Sequence, residues 1–199
     1  MGLILNGGSP SKMLYNGAEV SLYFNGSKIW PESSPTPSFD EVTIGTQTWM
    51  AKNLAINDGG AGIYTETVNY GQGDVVEYYY TWDAANKIAS TITGWHLPSV
   101  SEFETLFSFV GSNSDKLKST YGWTMRQGSD NFGFAAFPAG RIQQGSLTNK
   151  GNAVYFWTNT EYSEDSVYCK YFSYSTTTMQ SFYDSKSYFG FSVRLIKDS

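Results

Sequence analysis

The sequence has a single cysteine, Cys169, and a single histidine, His96. One thiol cannot close an intrachain disulfide or build a cysteine-based metal site, and one imidazole excludes a histidine cluster or a two-histidine mechanism. Charge is scarce as well. Only 16% of the residues are charged, and 13 Lys+Arg against 18 Asp+Glu leave a net charge of -5. That balance argues against a phosphate-backbone binder, so no nucleic-acid partner is expected. No apolar run approaches the roughly 18 to 20 residues of a membrane span. The opening MGLILNGGSP lacks a basic start and an adequate apolar stretch, and it does not read as a secretory signal. Aromatic residues are abundant instead: 15 Tyr, 13 Phe and 6 Trp, joined by 20 Gly, in a chain that is 40% apolar. The mix suits β-structure with many turns, and 199 residues fit one domain with a small appendage.

Asn-Gly recurs at Asn6-Gly7, Asn16-Gly17 and Asn25-Gly26. This pair favours two-residue hairpin turns, because both central residues of a type I′ turn need positive φ. The flanks Leu3 to Leu5, Met13 to Tyr15, Val20 to Phe24 and Lys28 to Trp30 are β-prone, so residues 1–30 read as a small β-meander of three or four strands. So short a unit buries too little surface to stand alone. It is expected to pack on the main domain, trimerise or attach the chain to a larger assembly. Residues 31–38 hold three prolines and read as an extended linker. Residues 39–199 then read as one α+β domain.

Within it, Glu41 to Ile44 and Gln47 to Met50 predict a hairpin, and Tyr78 to Tyr80 the end of a strand. Trp82 to Ala89 has helical spacing. Ser99 and Glu102 form a capping box ahead of the stripe Phe103, Leu106, Phe107 and Val110, which Gly111 ends. Phe132 to Phe137, Ala153 to Thr158, Val167 to Phe172 and Phe189 to Ile196 are further strand candidates.

Six segments together resemble the Fibrobacter succinogenes major paralogous domain. They are GTQTWMAKNL at Gly45 to Leu54, YTWDAA at Tyr80 to Ala85, GWHLPS at Gly94 to Ser99 followed by Glu102 and Glu104, FGFAAFPAG at Phe132 to Gly140, FWTNTE at Phe156 to Glu161, and GFSVR at Gly190 to Arg194. The resemblance implies a C-type-lectin-like fold of the formylglycine-generating-enzyme type, with two helices around a mixed sheet and paired ends. It also implies a role as a variable protein of a diversity-generating retroelement, whose C-terminal segment is mutagenised and displayed. Family members often carry a cysteine before the GWHLP turn and another in the tail; this chain has neither, which hints at assembly without an oxidising compartment.

Catalysis has little support. His96 precedes a capped helix, and its expected role is structural, with its nitrogens bonded to backbone or a carboxylate. The formylglycine-generating enzymes act through a cysteine pair, which one cysteine cannot reproduce. The carboxylates Asp58, Asp74, Glu77, Glu161, Glu164, Asp165 and Asp184 are scattered, with no EF-hand spacing. A structural Ca²⁺ in the Asp58 to Asp74 insertion stays an alternative, but no metal site, cofactor or catalytic residue is assigned.

Residues 155–188 are the informative stretch. Tyr155, Tyr162, Tyr168, Tyr171, Tyr174, Tyr183 and Tyr188 are interleaved with Ser173, Ser175, Thr177, Ser181, Ser185 and Ser187, alongside Cys169 and Asp184. Tyr plus Ser is the composition of antibody paratopes: a rigid ring with a polar handle, and a small adaptable hydroxyl. Strict alternation is lost between Ser173 and Ser187, which argues against a half-buried strand there. Adenine-directed mutagenesis of Asn codons can yield Tyr, Ser, Thr, Asp, Phe, Cys or Ile, and an unpaired surface Cys169 fits such an origin. These residues are therefore expected to form a ligand-binding face for a protein or glycan on a target cell. Phe156, Trp157, Phe189, Phe191 and Val193 are expected to be buried framework, with Arg194 paired to a carboxylate. The matching location is a phage tail, where a homotrimer would suit a fibre, or a bacterial cell surface. The alternatives are a fixed-specificity adhesin or glycan-binding domain, and a glycan-active enzyme, although no carboxylate pair at a recognisable spacing supports the last.

Overall fold

The computed structural model describes residues 37–198, together with strand residues 14–15, 18–19, 22–24 and 27–30. The chain divides into two compact units, Met1–Pro37 and Ser38–Ser199. In the first, β1 (Leu14–Tyr15) pairs antiparallel with β2 (Ala18–Glu19), and β3 (Leu22–Phe24) with β4 (Ser27–Trp30). Among the described residues these are two separate hairpins. The Leu3 to Leu5 segment, the Asn-Gly pairs and linker residues 31–36 lie outside the described residues.

The second unit is α+β. It opens with the expected hairpin, β5 (Glu41–Ile44) and β6 (Gln47–Met50), turned at Gly45 with φ +65°. A long hairpin follows, β7 (Ile63–Asn69) and β8 (Asp74–Tyr80), of which the sequence reading caught only the last residues. Then come α1 (Trp82–Ala89), β9 (Trp95–His96), α2 (Val100–Phe109), β10 (Arg141–Gln143) and β11 (Ser146–Thr148). The last elements are β12 (Ala153–Glu161), β13 (Ser166–Ser173), β14 (Gln180–Ser185), β15 (Phe189–Gly190) and β16 (Ile196–Lys197).

Local chemistry explains both helices. Thr81 caps α1 by accepting from the Ala84 amide, and α1 buries Ala84, Ala85, Ile88 and Ala89. Ser99 and Glu102 form the reciprocal capping box of α2, whose Phe103 and Leu106 are buried. The strands assemble in the orders β5-β6-β16-β9, β12-β13-β14, β11-β10-β15 and β7-β8. The first of these ties the two ends of the unit together, since Ile196 lies opposite both Trp49 and His96. Strand pairings are antiparallel, and parallel contacts occur as single bridges such as Phe156 with Ser192.

Two cores lie on opposite faces of the β12-β13-β14 sheet. Tyr155, Trp157, Val167 and Cys169 pack with α1 residues and Phe191, whereas Val154, Phe156 and Phe172 pack with Phe103, Leu106 and Trp49. Alternation along the strands sends neighbours to opposite cores, which is why β12 is buried continuously from Ala153 to Thr158. Phe156, Trp157, Phe189, Phe191 and Val193 are all buried, as the sequence reading expected.

Three expectations fail here. Phe189 to Ile196 is not one strand: β15 ends at Gly190 and β16 begins at Ile196, with Val193 to Leu195 in neither. Phe132 to Phe137 is a loop whose one ladder-type contact is the Lys118–Ala136 bridge. Positive φ at Asp130, Gly133 and Ala135 coils it, and the Asp130 carboxylate accepts from the Ala135 amide. Conversely, β14 is a strand despite its irregular sequence. Its exposed positions Ser181 and Tyr183 alternate with the half-buried Gln180 and Phe182, and a tyrosine in an outward position masks the period.

Candidate functional site

The residues expected on one face divide among four places. Tyr162, Tyr168, Ser181, Tyr183 and Ser185 form the first group, on the α2 side of the sheet. There α2 covers the Phe172 end of β13, and Glu104 reaches the buried Lys170 ammonium at 3.1 Å. Beyond Lys170 no other described element covers the face. Tyr168 and Tyr183 sit directly opposite each other on β13 and β14. Tyr162, carried by the β12–β13 turn, stacks on Tyr183 with ring centroids 3.8 Å apart and meets Tyr168 edge-on at 5.3 Å. Tyr162 and Tyr183 are 50% and 54% exposed, so this aromatic cluster faces water. The turn is held by Lys186, which donates to Glu161 and to the Glu164 carbonyl.

The second group points the other way. Tyr155 is 8% exposed, sandwiched between Tyr171 and Phe191, with its hydroxyl accepting from Asn149. Cys169 is fully buried, and its thiol donates to the Val167 carbonyl. Both corrections have one cause: these residues share strand parity with Trp157 and point into the core beneath α1. Burial pushes the Cys169 thiol pKa well above its ordinary value, and that of Tyr155 upward too. Tyr171 is half-buried against the same core. Asp184 lies on this side as well, and burial raises its carboxyl pKa against the opposing pull of the Ser185 amide and Arg141.

Ser173, Tyr174, Ser175 and Thr177 form the third group, at the end of β13 and in the β13–β14 connection. Tyr174 lies six residue steps after Tyr168, which at ~3.3 Å each puts the two groups roughly 20 Å apart. The Ser173 and Ser175 hydroxyls are spent on each other at 2.9 Å, Ser173 Oγ also accepts from the Ser175 amide, and the Thr177 carbonyl accepts from the Ser114 amide. Lys118, which the sequence reading missed, anchors this loop. Its buried ammonium donates to the Ser173 and Thr176 carbonyls and pairs with Asp115 at 2.7 Å. The remaining pair, Ser187 and Tyr188, is exposed in the β14–β15 turn, with Tyr188 edge-on to Phe189.

Two framework motifs carry charge networks. Arg194 is 1% exposed and, among the described residues, meets no carboxylate directly, contrary to expectation. It donates to the Met50 and Phe134 carbonyls and, through Nε and Nη2, to the Asn53 Oδ1. Asn53 passes the interaction on by donating to Glu77, which also accepts from the Tyr70 hydroxyl at 3.0 Å. Burial lowers the Arg194 pKa to about 9, so the group is still a cation at neutral pH. His96 sits between two carboxylates, Nε2 at 2.9 Å from Glu102 and Nδ1 at 2.6 Å from Asp198. Partial burial disfavours the imidazolium, but the hydrogen bonds to Glu102 and Asp198 outweigh it and raise the pKa. Asp58 pairs with Lys87, and Asp74 accepts from Asn69. Among the described residues no helix is long and apolar enough to cross a membrane.

Comparisons with curated proteins and with solved structures each gave no significant match. Residues 42–197 match the model of the Fibrobacter succinogenes major domain. The match spans the Trp49–Asn53 and Gly190–Arg194 segments that the Arg194–Asn53 contact joins, and the chain belongs to the Fibrobacter succinogenes major domain family.

Proposed function

We propose that this chain is a non-enzymatic ligand-binding protein on a C-type-lectin-like scaffold of the formylglycine-generating-enzyme type. The recognition face centres on Tyr162, Tyr168, Ser181, Tyr183 and Ser185, with Tyr188, Ser187 and the β13–β14 loop at its periphery. One observation carries the reading: three tyrosines cluster, one pair stacked and the third edge-on, on a sheet face that no other described element covers, where a water-facing surface would favour charged residues. Pre-stacked rings lose little conformational freedom when a partner arrives, and each hydroxyl offers a donor and an acceptor. Desolvating such anchors is worth about 2 kcal/mol or more each where they act as hot spots.

Retroelement diversification of this segment is part of the proposal, with Tyr155 and Cys169 removed from the variable set. A template repeat differing only at adenines, beside a reverse transcriptase gene, tests it; an uninterrupted gene neighbourhood without either contradicts it. Residues 1–30 would attach the domain to a phage tail or a cell-surface assembly, and the ligand would be a protein or glycan on a target cell. For the binding reading, the protein is screened against whole cells and glycan arrays. Tyr162→Ala and Tyr183→Ala are expected to remove capture while leaving Tm within about 2 °C, since each loses only a surface contact.

A further inference from the structure

A cleft of about 530 Å³ opens between the segment after β6, the β7–β8 hairpin and the loop before β10. It shares no residue with the tyrosine face. Small residues keep it open: Ala51, Ala55, Gly73, Gly133 and Ala135 all line it. One wall is aromatic, with Phe137 packed against Tyr70 and Tyr121 at centroid distances of 4.9 and 5.0 Å. Val75 and Val76 form part of its lining yet are 47% and 52% exposed. They leave apolar surface at the mouth of the cleft that a bound apolar face would remove from water.

The floor is polar. Glu77 is 7% exposed and lines the cleft, each of its oxygens accepting one hydrogen bond from a neutral donor, Tyr70 or Asn53. A carboxylate has about four lone-pair positions, so acceptor capacity is left over. Arg194 lies behind Asn53 and cancels the Glu77 charge, while its own donors are directed at Asn53 and at main-chain carbonyls. Lys52, the other cation lining the cleft, is paired with Asp40 at 2.7 Å. An anion therefore meets a carboxylate with no free cation, and an amine meets a floor of no net charge. A neutral ring with an apolar face and hydroxyl donors satisfies both the wall and the floor. The volume lies within the ~300–1,000 Å³ usual for small-molecule sites.

We propose that this cleft binds a neutral saccharide unit, its ring against Phe137 and Tyr121 and its hydroxyls donating to Glu77. The test is saturation-transfer NMR on the full chain with methyl β-glucoside, methyl β-galactoside, methyl α-mannoside and cellobiose. Benzylammonium and butanol serve as the cationic and purely apolar comparators. Transfer to the ring protons of at least one sugar is expected. Glu77→Gln and Phe137→Ala should each weaken it about tenfold, the scale of one charged hydrogen bond or one stacking contact. Because Glu77→Gln disturbs Asn53 and so could disturb folding, Ala55→Trp is the second variant. Ala55 is exposed, so a tryptophan there fills the cleft without entering the core, and it should abolish transfer. Tyr183→Ala should leave transfer unchanged, which separates this site from the tyrosine face. Absence of transfer from every sugar at millimolar concentration overturns the proposal. So does transfer that survives Ala55→Trp, or a response to the comparators alone.

Discussion

A tyrosine in a strand is ambiguous at the scale of the residue. Its ring is as large as a phenylalanine's and its hydroxyl tolerates water, so composition cannot say which way it faces. Tyr155 and Tyr183 illustrate the two outcomes: one ring lies between Tyr171 and Phe191, the other stacks on Tyr162 in solvent. Parity decides, and parity becomes readable only when the strand can be anchored on unambiguous neighbours such as Trp157. Cys169 was misread for the same reason. Lying opposite Trp157, it is a small buried hydrophobe, and its presence needs no mutagenic origin. Native protein treated with iodoacetamide should therefore stay unlabelled at Cys169 and react fully once unfolded, read by mass spectrometry of the intact chain. Rapid labelling under native conditions would place the thiol at the surface. Tyr171→Ala should lower stability by about 2 kcal/mol or more in chemical denaturation, since it strips a ring from the α1-side core.

Both helices were legible because their signals are local: a capping residue, a periodic stripe and a stop. The β7–β8 hairpin, the β10–β11 hairpin and β14 were not, since exposed hairpins and edge strands carry weak apolar alternation. The loop before β10 looks strand-like in sequence because its aromatic residues pack without pairing; only its backbone angles distinguish it.

The β16–β9 contact carries a pH-dependent clasp. His96, at the end of β9, holds Asp198 just beyond β16 and Glu102 in the first turn of α2. Its folded pKa lies above 6.5, so its contribution is complete below that value and is lost as pH rises through the folded pKa. Glu102 titrates in the opposite sense. Although burial opposes ionisation, bonds from the Ser99 amide and hydroxyl and from His96 lower its pKa below 4.5, and its contribution fades as pH falls through the folded value. The stabilisation of wild type over His96→Gln should be largest between about pH 4.5 and 6.5 and should shrink toward pH 8, followed by Tm against pH. A difference that grows with pH would contradict the clasp.

For the whole molecule, the Arg194–Asn53–Glu77 chain joins sequence segments about as far apart as the domain allows, pinning the C-terminal motif to the N-terminal one. Sequence exposed the participants but not the path, because a buried cation can be satisfied by carbonyls and an amide as well as by a carboxylate. This framework lets an outer strand such as β14 vary at outward positions with little effect on either core. The proposed function requires that separation between frame and face. The most direct test is to compare wild type with the Tyr162→Ala/Tyr183→Ala double variant for retention on a panel of whole bacterial cells, with thermal unfolding of both samples in parallel. Loss of retention at a nearly constant Tm is the predicted result. Retention that the double variant keeps in full, or a Tm that collapses with it, would contradict the account.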